Sequence, residues 1–159
     1  MLTFRPWLGL VVFLAICFAA AGIGAVFTSM SVNSWYQTLT KPSWNPPAWI
    51  FGPVWMFLYI MMAVSVWLIW RQYGISVVVL PLTLFGIQLF LNAAWSGFFF
   101  GLRKPGYALI EIVLLWCAIL VTVLSFYKVK PVSAWLMTPY LVWVTFAAML
   151  NFEIWRLNG

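Results

Sequence analysis

Charged side chains and histidine are what this sequence most lacks. Its 159 residues include eight basic residues, two acidic residues and no histidine. Without histidine there is no histidine-based catalytic triad and no usual proximal ligand for haem iron, and the common zinc sites are excluded as well. The two cysteines, Cys17 and Cys117, each fall inside an apolar run, where we interpret them as small buried residues. We therefore expect no metal site and no required cofactor.

The few charges divide the chain into five long apolar segments. Residues 6–40, 42–70 and 72–102 carry no charge, while residues 105–127 and 131–155 contain one glutamate each. A bilayer core of about 30 Å is crossed by about 20 helical residues, so each segment has room for one span. A soluble helical core would need polar outer faces, which these segments lack.

This pattern predicts an all-α integral membrane protein with a single domain over residues 1–159. We expect a bundle of five transmembrane helices, near residues 7–28, 50–70, 77–100, 107–127 and 134–157.

The basic residues lie beside the ends of these spans, where they meet lipid headgroups, so we expect no nucleic-acid partner despite the net charge of +6. One membrane side would carry Arg5, Arg71, Lys128 and Lys130, and the other Lys41, Arg103, Lys104 and Arg156. This even division leaves the membrane orientation undecided.

Residues 29–49, which connect the first two spans, are rich in tryptophan and proline. Proline fixes φ and removes a backbone donor, so this segment cannot be one continuous helix. We predict a stiff lid that folds against the membrane surface. The residues that define this lid are Trp35, Pro42, Trp44, Pro46, Pro47 and Trp49.

Three spans carry aromatic and polar faces at helical spacing. On the third span, Gln88, Asn92, Trp95 and Phe99 fall within about 60° of arc. An amide pair facing lipid would be costly, so this face should point into the bundle. Matching faces are Trp55, Tyr59, Met62 and Val66 on the second span, and Tyr140, Trp143, Ala147, Leu150 and Asn151 on the fifth. These faces either only pack together, with the amides joining helices, or line a ligand site.

The depth of these side chains favours a ligand site. Trp55, Trp95 and Asn151 should lie about 8–10 Å below the lid side of the membrane, with Asn92 somewhat deeper and Trp143 near the middle. We expect a large, flat, apolar ligand to stack between the indoles, to be oriented by the amides and to be covered by the lid.

The two acidic residues, Glu111 and Glu153, lie about one helical turn from helix ends on the lid side. Glu153 and Arg156 have a spacing that allows an ion pair on one helix. We interpret both carboxylates as interfacial. A proton-coupled exporter would need a carboxylate at the membrane midplane, which this interpretation does not provide.

Small residues form the face of the third span opposite its polar face. Gly86, Ala93, Gly97 and Gly101 lie within about 60° of one another, and small residues let transmembrane backbones approach closely. We predict a two-fold homodimer paired through these residues. Alternatively, another helix of the same subunit fills this groove.

These residues resemble the motifs of the TspO/MBR family, which comprises tryptophan-rich sensory proteins and translocator proteins. The resemblance extends over nearly the whole chain. The matching motifs are Trp35-Tyr36, Lys41-Pro42-Ser43-Trp44, Pro46-Pro47, Gly52-Pro53-Val54-Trp55, Gln88-x-x-x-Asn92-x-x-Trp95, Pro139-Tyr140-x-x-Trp143 and Leu150-Asn151.

The resemblance implies a five-helix bundle, usually dimeric, that binds porphyrins, haem, sterols or benzodiazepine-type ligands. The pocket residues it implies are Tyr36, Trp55, Asn92, Trp95, Trp143, Ala147 and Leu150. It also implies an alternative function, the light- and oxygen-dependent degradation of protoporphyrin through Trp55 and Trp143. The sterol motif of animal members has a tyrosine where this chain has Phe152. The implied location is a bacterial cell-envelope membrane, or the mitochondrial outer membrane in a eukaryote.

Overall fold

The computed structural model describes residues 6–159, so Arg5 lies outside the described part of the chain. These residues form five long helices and one short helix, with no β-strand among them. The helices are α1 (Pro6–Ser29), α2 (Trp35–Thr38), α3 (Ala48–Tyr73), α4 (Val79–Ser96), α5 (Pro105–Val129) and α6 (Pro131–Asn158). Each of the five long helices is long and apolar enough to cross a membrane, which confirms the predicted five-helix membrane fold.

Proline and glycine account for several helix ends. Pro105 and Pro131 occupy the first positions of α5 and α6, where a missing N–H costs nothing, so both helices begin slightly earlier than predicted. Gly74 has a φ of 72° and ends α3, and its N–H donates to the carbonyl of Trp70 at 2.9 Å. A glycine is favoured in this left-handed conformation because it has no Cβ.

A π-helical turn, Gly97–Gly101, continues α4 on the lid side, and the helical spacing of the sequence did not predict it. The wider turn is closed by the N–H of Leu102, which donates to the carbonyl of Gly97 at 2.8 Å. Single π turns often occur at functional sites. Here the turn lets two consecutive residues, Phe99 and Phe100, be buried together.

The five long helices close into a ring, because α1 packs on α3 and α4, α6 packs on α3 and α5, and α5 also packs on α4. Side chains inside the ring are fully buried, among them Met62, Val66, Ile119, Met137 and Tyr140. The outer faces are apolar, as a bilayer requires. The interpretation of the cysteines as buried is confirmed for Cys17 but is wrong for Cys117, which lies on an exposed face of α5.

The small-residue face of α4 is partly covered within the subunit. A Cβ on Gly97 or Gly101 would lie 3.6 Å or 3.0 Å from the ring of Phe27 on α1. Ala93 is half-buried, whereas a Cβ on Gly86 would meet nothing within 4 Å. Packing against another helix of the same subunit, which was the alternative to a dimer, therefore accounts for Gly97 and Gly101. The homodimer stays a prediction, for which Gly86 is the open position.

We predict that Gly86→Leu shifts the detergent-solubilised protein from dimer to monomer, because the added bulk keeps the two α4 helices apart. Light scattering would measure the change. Gly97→Leu is the matched contrast, since its side chain would strike Phe27 and lower thermal stability within the subunit. A fully dimeric Gly86→Leu protein would place the dimer interface elsewhere.

Candidate functional site

The lid contains the short helix α2, which docks on the π turn. The Trp35 ring lies 5.8 Å from the Phe99 ring, and the Tyr36 ring lies 6.2 Å from Phe99 and 5.5 Å from Phe100. The buried Ser31 hydroxyl donates to the carbonyl of Phe100 at 2.7 Å. The lid is therefore attached to the bundle at its start by aromatic contacts and one buried hydrogen bond.

A second attachment comes from Asn158 at the end of α6. The N–H of Thr40 donates to Asn158 Oδ1 at 2.9 Å, and Asn158 Nδ2 donates to the carbonyl of Thr40 at 2.8 Å. One amide side chain thus pairs both backbone groups of Thr40, much as a neighbouring strand would. This role of Asn158 could not be predicted from the sequence, because 118 residues separate the two partners and no local pattern joins them.

Tyr36 belongs to helix α2 of the lid and faces the bundle, outside the membrane spans. Its hydroxyl donates a long hydrogen bond to Asn45 Oδ1 at 3.5 Å, and Lys41 Nζ lies 4.6 Å from its ring centroid. Burial raises the pKa of the Tyr36 phenol above its usual value, while the hydrogen bond to Asn45 acts in the opposite direction. Tyr36 is therefore neutral at physiological pH and presents its ring face to a cation.

The remaining lid residues divide between contact and exposure. Trp44 packs against Phe146 of α6 at 5.8 Å between ring centroids. Pro42 and Pro46 are half-buried on either side of a turn, and Pro47 immediately precedes α3. The prediction of Trp49 as a lid residue is wrong, because α3 begins at Ala48 and includes Trp49, which is 74% exposed. The lid thus covers the bundle through Trp35, Tyr36 and Trp44.

Asn92 connects three helices at the centre of the predicted site. Its Oδ1 accepts a hydrogen bond from the Tyr59 hydroxyl on α3, and its Nδ2 donates to the Tyr140 hydroxyl on α6 at 2.8 Å. All three residues are buried. Both polar atoms of the Asn92 amide are therefore occupied by protein, as the packing alternative requires.

Asn151 plays the same part nearer the lid. Its Oδ1 accepts from Trp95 Nε1 at 3.0 Å, and its Nδ2 donates to the carbonyl of Pro105 at 2.8 Å. This amide ties α4, α5 and α6 together where α5 begins. For Asn92 and Asn151, direct contact with a ligand stays a prediction.

The other predicted pocket residues pack in two neighbouring clusters of buried apolar side chains. One is the central core of the bundle, and the other, the lid-side cluster, contains Phe99 and Phe100. Trp55, Trp143 and Ala147 pack against the central core, and the Trp55 ring lies 5.7 Å from Tyr59 and 6.3 Å from Tyr140. Leu150 is buried with the lid-side cluster, and Trp95 contacts both clusters.

A few buried polar atoms have no hydrogen-bond partner among the described residues. Two belong to the predicted pocket, the indole Nε1 of Trp143 and the Oε1 of Gln88. The Trp143 ring lies 5.9 Å from Phe51 and 5.3 Å from Phe146, the residue that Trp44 of the lid covers. Since buried polar groups are nearly always paired, a donor left free beneath the lid indicates a place where a ligand could bind.

The two acidic residues differ in their surroundings. Glu153 Oε2 accepts from Arg156 at 2.7 Å on the surface, which confirms the predicted ion pair. Glu111 is 6% exposed, and its two carboxyl oxygens have no partner among residues 6–159. Its interfacial depth, near the start of α5, stays a prediction, but the packing of α5 against α4 and α6 turns the side chain into the bundle and not toward the lipid headgroups.

Two surface cavities lie apart from the tryptophan cluster, by which we mean Trp55, Trp95 and Trp143. One, of about 170 Å³, lies beside the lid and is lined by residues that include Trp35, Arg103 and Trp155. The other, of about 230 Å³, lies at the end of α3 beside Trp70 and Arg71. Neither is lined by Trp55, Trp95 or Trp143, whose rings are in contact with neighbouring aromatic side chains.

Comparison with known proteins matches this chain to one family and to relatives of similar length. Residues 13–156 match the model of the TspO/MBR family. The chain is 44% identical over 149 residues to the tryptophan-rich protein TspO of Chlorobaculum tepidum, covering 91% of this chain and 92% of that protein. It is 39% identical over 155 residues to the translocator protein of Homo sapiens, covering 96% and 92%. It is 34% identical over 152 residues to the tryptophan-rich sensory protein of Cereibacter sphaeroides, again covering 96% and 92%.

We predict that Asn158→Ala loosens the lid. The substitution leaves both backbone groups of Thr40 without the Asn158 amide, and losing two hydrogen bonds of about 1 kcal/mol each should speed amide exchange around Thr40 about tenfold or more. Hydrogen exchange followed by mass spectrometry would measure it. Thr38→Ala is the control, because its hydroxyl bonds only to the lid carbonyl of Trp35. Equal exchange in both variants would contradict the role of Asn158.

We also predict that Glu111→Met stabilises the protein. The substitution removes two buried acceptors that lack partners, each costing about 1–3 kcal/mol, at nearly constant side-chain length. The midpoint of thermal unfolding in detergent should rise by a few degrees. Glu153→Met, at the surface, should change it little. A lower midpoint for Glu111→Met would mean that the Glu111 carboxyl makes a stabilising interaction in the membrane.

Proposed function

Because the chain belongs to the TspO/MBR family, we propose that it is a membrane receptor or carrier that binds tetrapyrroles, such as porphyrin or haem, beneath the lid. The names of its relatives, translocator protein and tryptophan-rich sensory protein, support a membrane sensor or transporter role. The finer proposal is that this role is to sense, carry or regulate porphyrin. Sterols and benzodiazepine-type ligands would compete for the same apolar site.

The observation that carries this proposal is the free indole N–H of Trp143. It is a buried donor without a partner among residues 6–159, and it lies in a cluster of aromatic rings under the lid. A buried donor that stays unpaired costs about 1–3 kcal/mol, which an acceptor on a bound ligand would recover. The neighbouring rings of Phe51 and Phe146 supply flat apolar surface suited to a macrocycle.

Ligand entry in this proposal requires the lid to move. A drug-sized ligand needs a pocket of about 300–1,000 Å³, and the rings around Trp143 now contact one another. Residues 42–46, which include a turn, hydrogen-bond only to other lid residues in the described part of the chain. They lie between the attachments at Ser31 and Thr40 on one side and α3 on the other. Lifting this stretch would withdraw Trp44 from Phe146 and open a path to Trp143.

We predict that Trp143→Phe weakens protoporphyrin binding about fivefold or more, because the variant keeps a smaller aromatic ring but loses a hydrogen bond of about 1 kcal/mol. Quenching of the remaining tryptophan fluorescence in detergent would measure the affinity. Trp143→Ala, which also removes the ring, should weaken binding further.

Trp135→Phe is the matched control, since Trp135 lies on the same helix, is 67% exposed and should leave the affinity unchanged. If Trp143→Phe binds like the unaltered protein, the indole N–H does not contact the ligand. If Trp143→Ala does so too, the porphyrin site lies elsewhere.

A further inference from the structure

The cavity of about 170 Å³ lies where the lid meets the lid-side ends of the bundle. Its walls come from the lid, from the loop between α4 and α5, from the start of α5 and from the end of α6. The residues that line it include Trp35, Leu39, Arg103, Pro105, Trp155 and Asn158. Because it opens where transmembrane helices begin and end, it lies at the level of the lipid headgroups.

The polar groups left free around this cavity are donors. The Arg103 guanidinium forms no ion pair or hydrogen bond with the described residues, and neither does the indole N–H of Trp155. The acceptors of the wall are occupied, since Asn158 Oδ1 accepts from Thr40 and the Pro105 carbonyl accepts from Asn151. An unpaired cation beside a free N–H favours an anion.

The size and the lining of the cavity narrow the choice of anion. Its volume is below the roughly 300 Å³ that a drug-sized ligand requires, so it suits a small charged group and not a macrocycle. Leu39, Pro105 and the two indole rings add apolar surface beside the polar groups. A phosphodiester with acyl chains attached matches both properties, because its anionic end meets Arg103 while its chains pass into the bilayer.

We propose that this cavity binds the phosphate of an anionic phospholipid, with Arg103 pairing the charge and the Trp155 indole donating a hydrogen bond. The site is separate from the tryptophan cluster and does not rest on tetrapyrrole binding.

A bound headgroup would also hold the lid closed. Trp35 and Leu39 belong to the lid, whereas Pro105 and Trp155 belong to α5 and α6. A phosphate seated between them adds a third attachment beside Ser31 and Asn158. Anionic lipid therefore stabilises the closed lid.

Reconstitution in nanodiscs of phosphatidylglycerol or phosphatidylcholine tests this proposal. Native mass spectrometry would count retained lipid, and hydrogen exchange would follow lid residues 35–40. The unaltered protein should retain phosphatidylglycerol preferentially and exchange more slowly in its presence. Arg103→Gln should reduce both effects about fivefold, since one basic side chain near a lipid surface contributes about 1 kcal/mol.

Lys104→Gln is the matched control. It removes the same charge from the same loop, but Lys104 does not line the cavity, and its Nζ lies 5.2 Å from the ring of Tyr107. Equal lipid loss in both variants, or full retention by Arg103→Gln, would overturn the proposal. Displacement of the lipid by millimolar inorganic phosphate would assign the site to free phosphate and overturn the lipid assignment.

Two further variants keep the test informative if Arg103→Gln does not fold. If Arg103→Gln loses its helical circular dichroism, Arg103→Lys keeps the positive charge and should retain most of the lipid. Trp155→Phe removes the indole N–H, keeps a smaller aromatic ring and should reduce retention by itself. If Trp155→Phe retains as much lipid as the unaltered protein, the indole is not part of the site. If Arg103→Lys loses as much lipid as Arg103→Gln, charge pairing by residue 103 is contradicted.

Discussion

The hydrogen-bonding demand of polar groups inside a bilayer governs this structure, because lipid offers them no partner. Asn92 meets this demand by joining Tyr59 and Tyr140, and Asn151 meets it by joining Trp95 to the Pro105 carbonyl. Each amide fixes the axial position of three helices relative to one another. Together these two side chains join α3, α4, α5 and α6, whereas α1 is held in the closed ring by its packing on α3 and α4.

Some buried polar atoms of the bundle do not meet this hydrogen-bonding demand. The indole N–H of Trp143, the Oε1 of Gln88 and the carboxyl of Glu111 are buried without partners among the described residues. Such groups are costly in a membrane and are commonly connected with function. The lid is attached to the bundle by aromatic contacts and by a small number of hydrogen bonds, at Ser31 and Thr40, which suits the lid opening that the proposed function requires.

Much of the fold and part of the site could be predicted from the sequence. Charge spacing located all five spans, and the i,i+3 spacing located the ion pair of Glu153 and Arg156. Helical periodicity correctly turned Asn92 inward, but it could not tell a pairing amide from a ligand-binding one. It also missed the π turn and the inward direction of Glu111, and it left open whether another helix of the subunit covers Gly97, because each depends on a neighbouring helix.

The sequence by itself determined the membrane class, the number of spans and the lid, because hydropathy, charge and proline act through local physical chemistry. Only the tertiary structure decided which polar atoms are paired. Asn158 reaches Thr40 across 118 residues, and Trp143 and Trp95 differ in pairing although both are indoles on inward faces. The reason is geometric: a hydrogen bond requires a specific distance and direction, which depend on how neighbouring helices pack and not on the spacing along one of them.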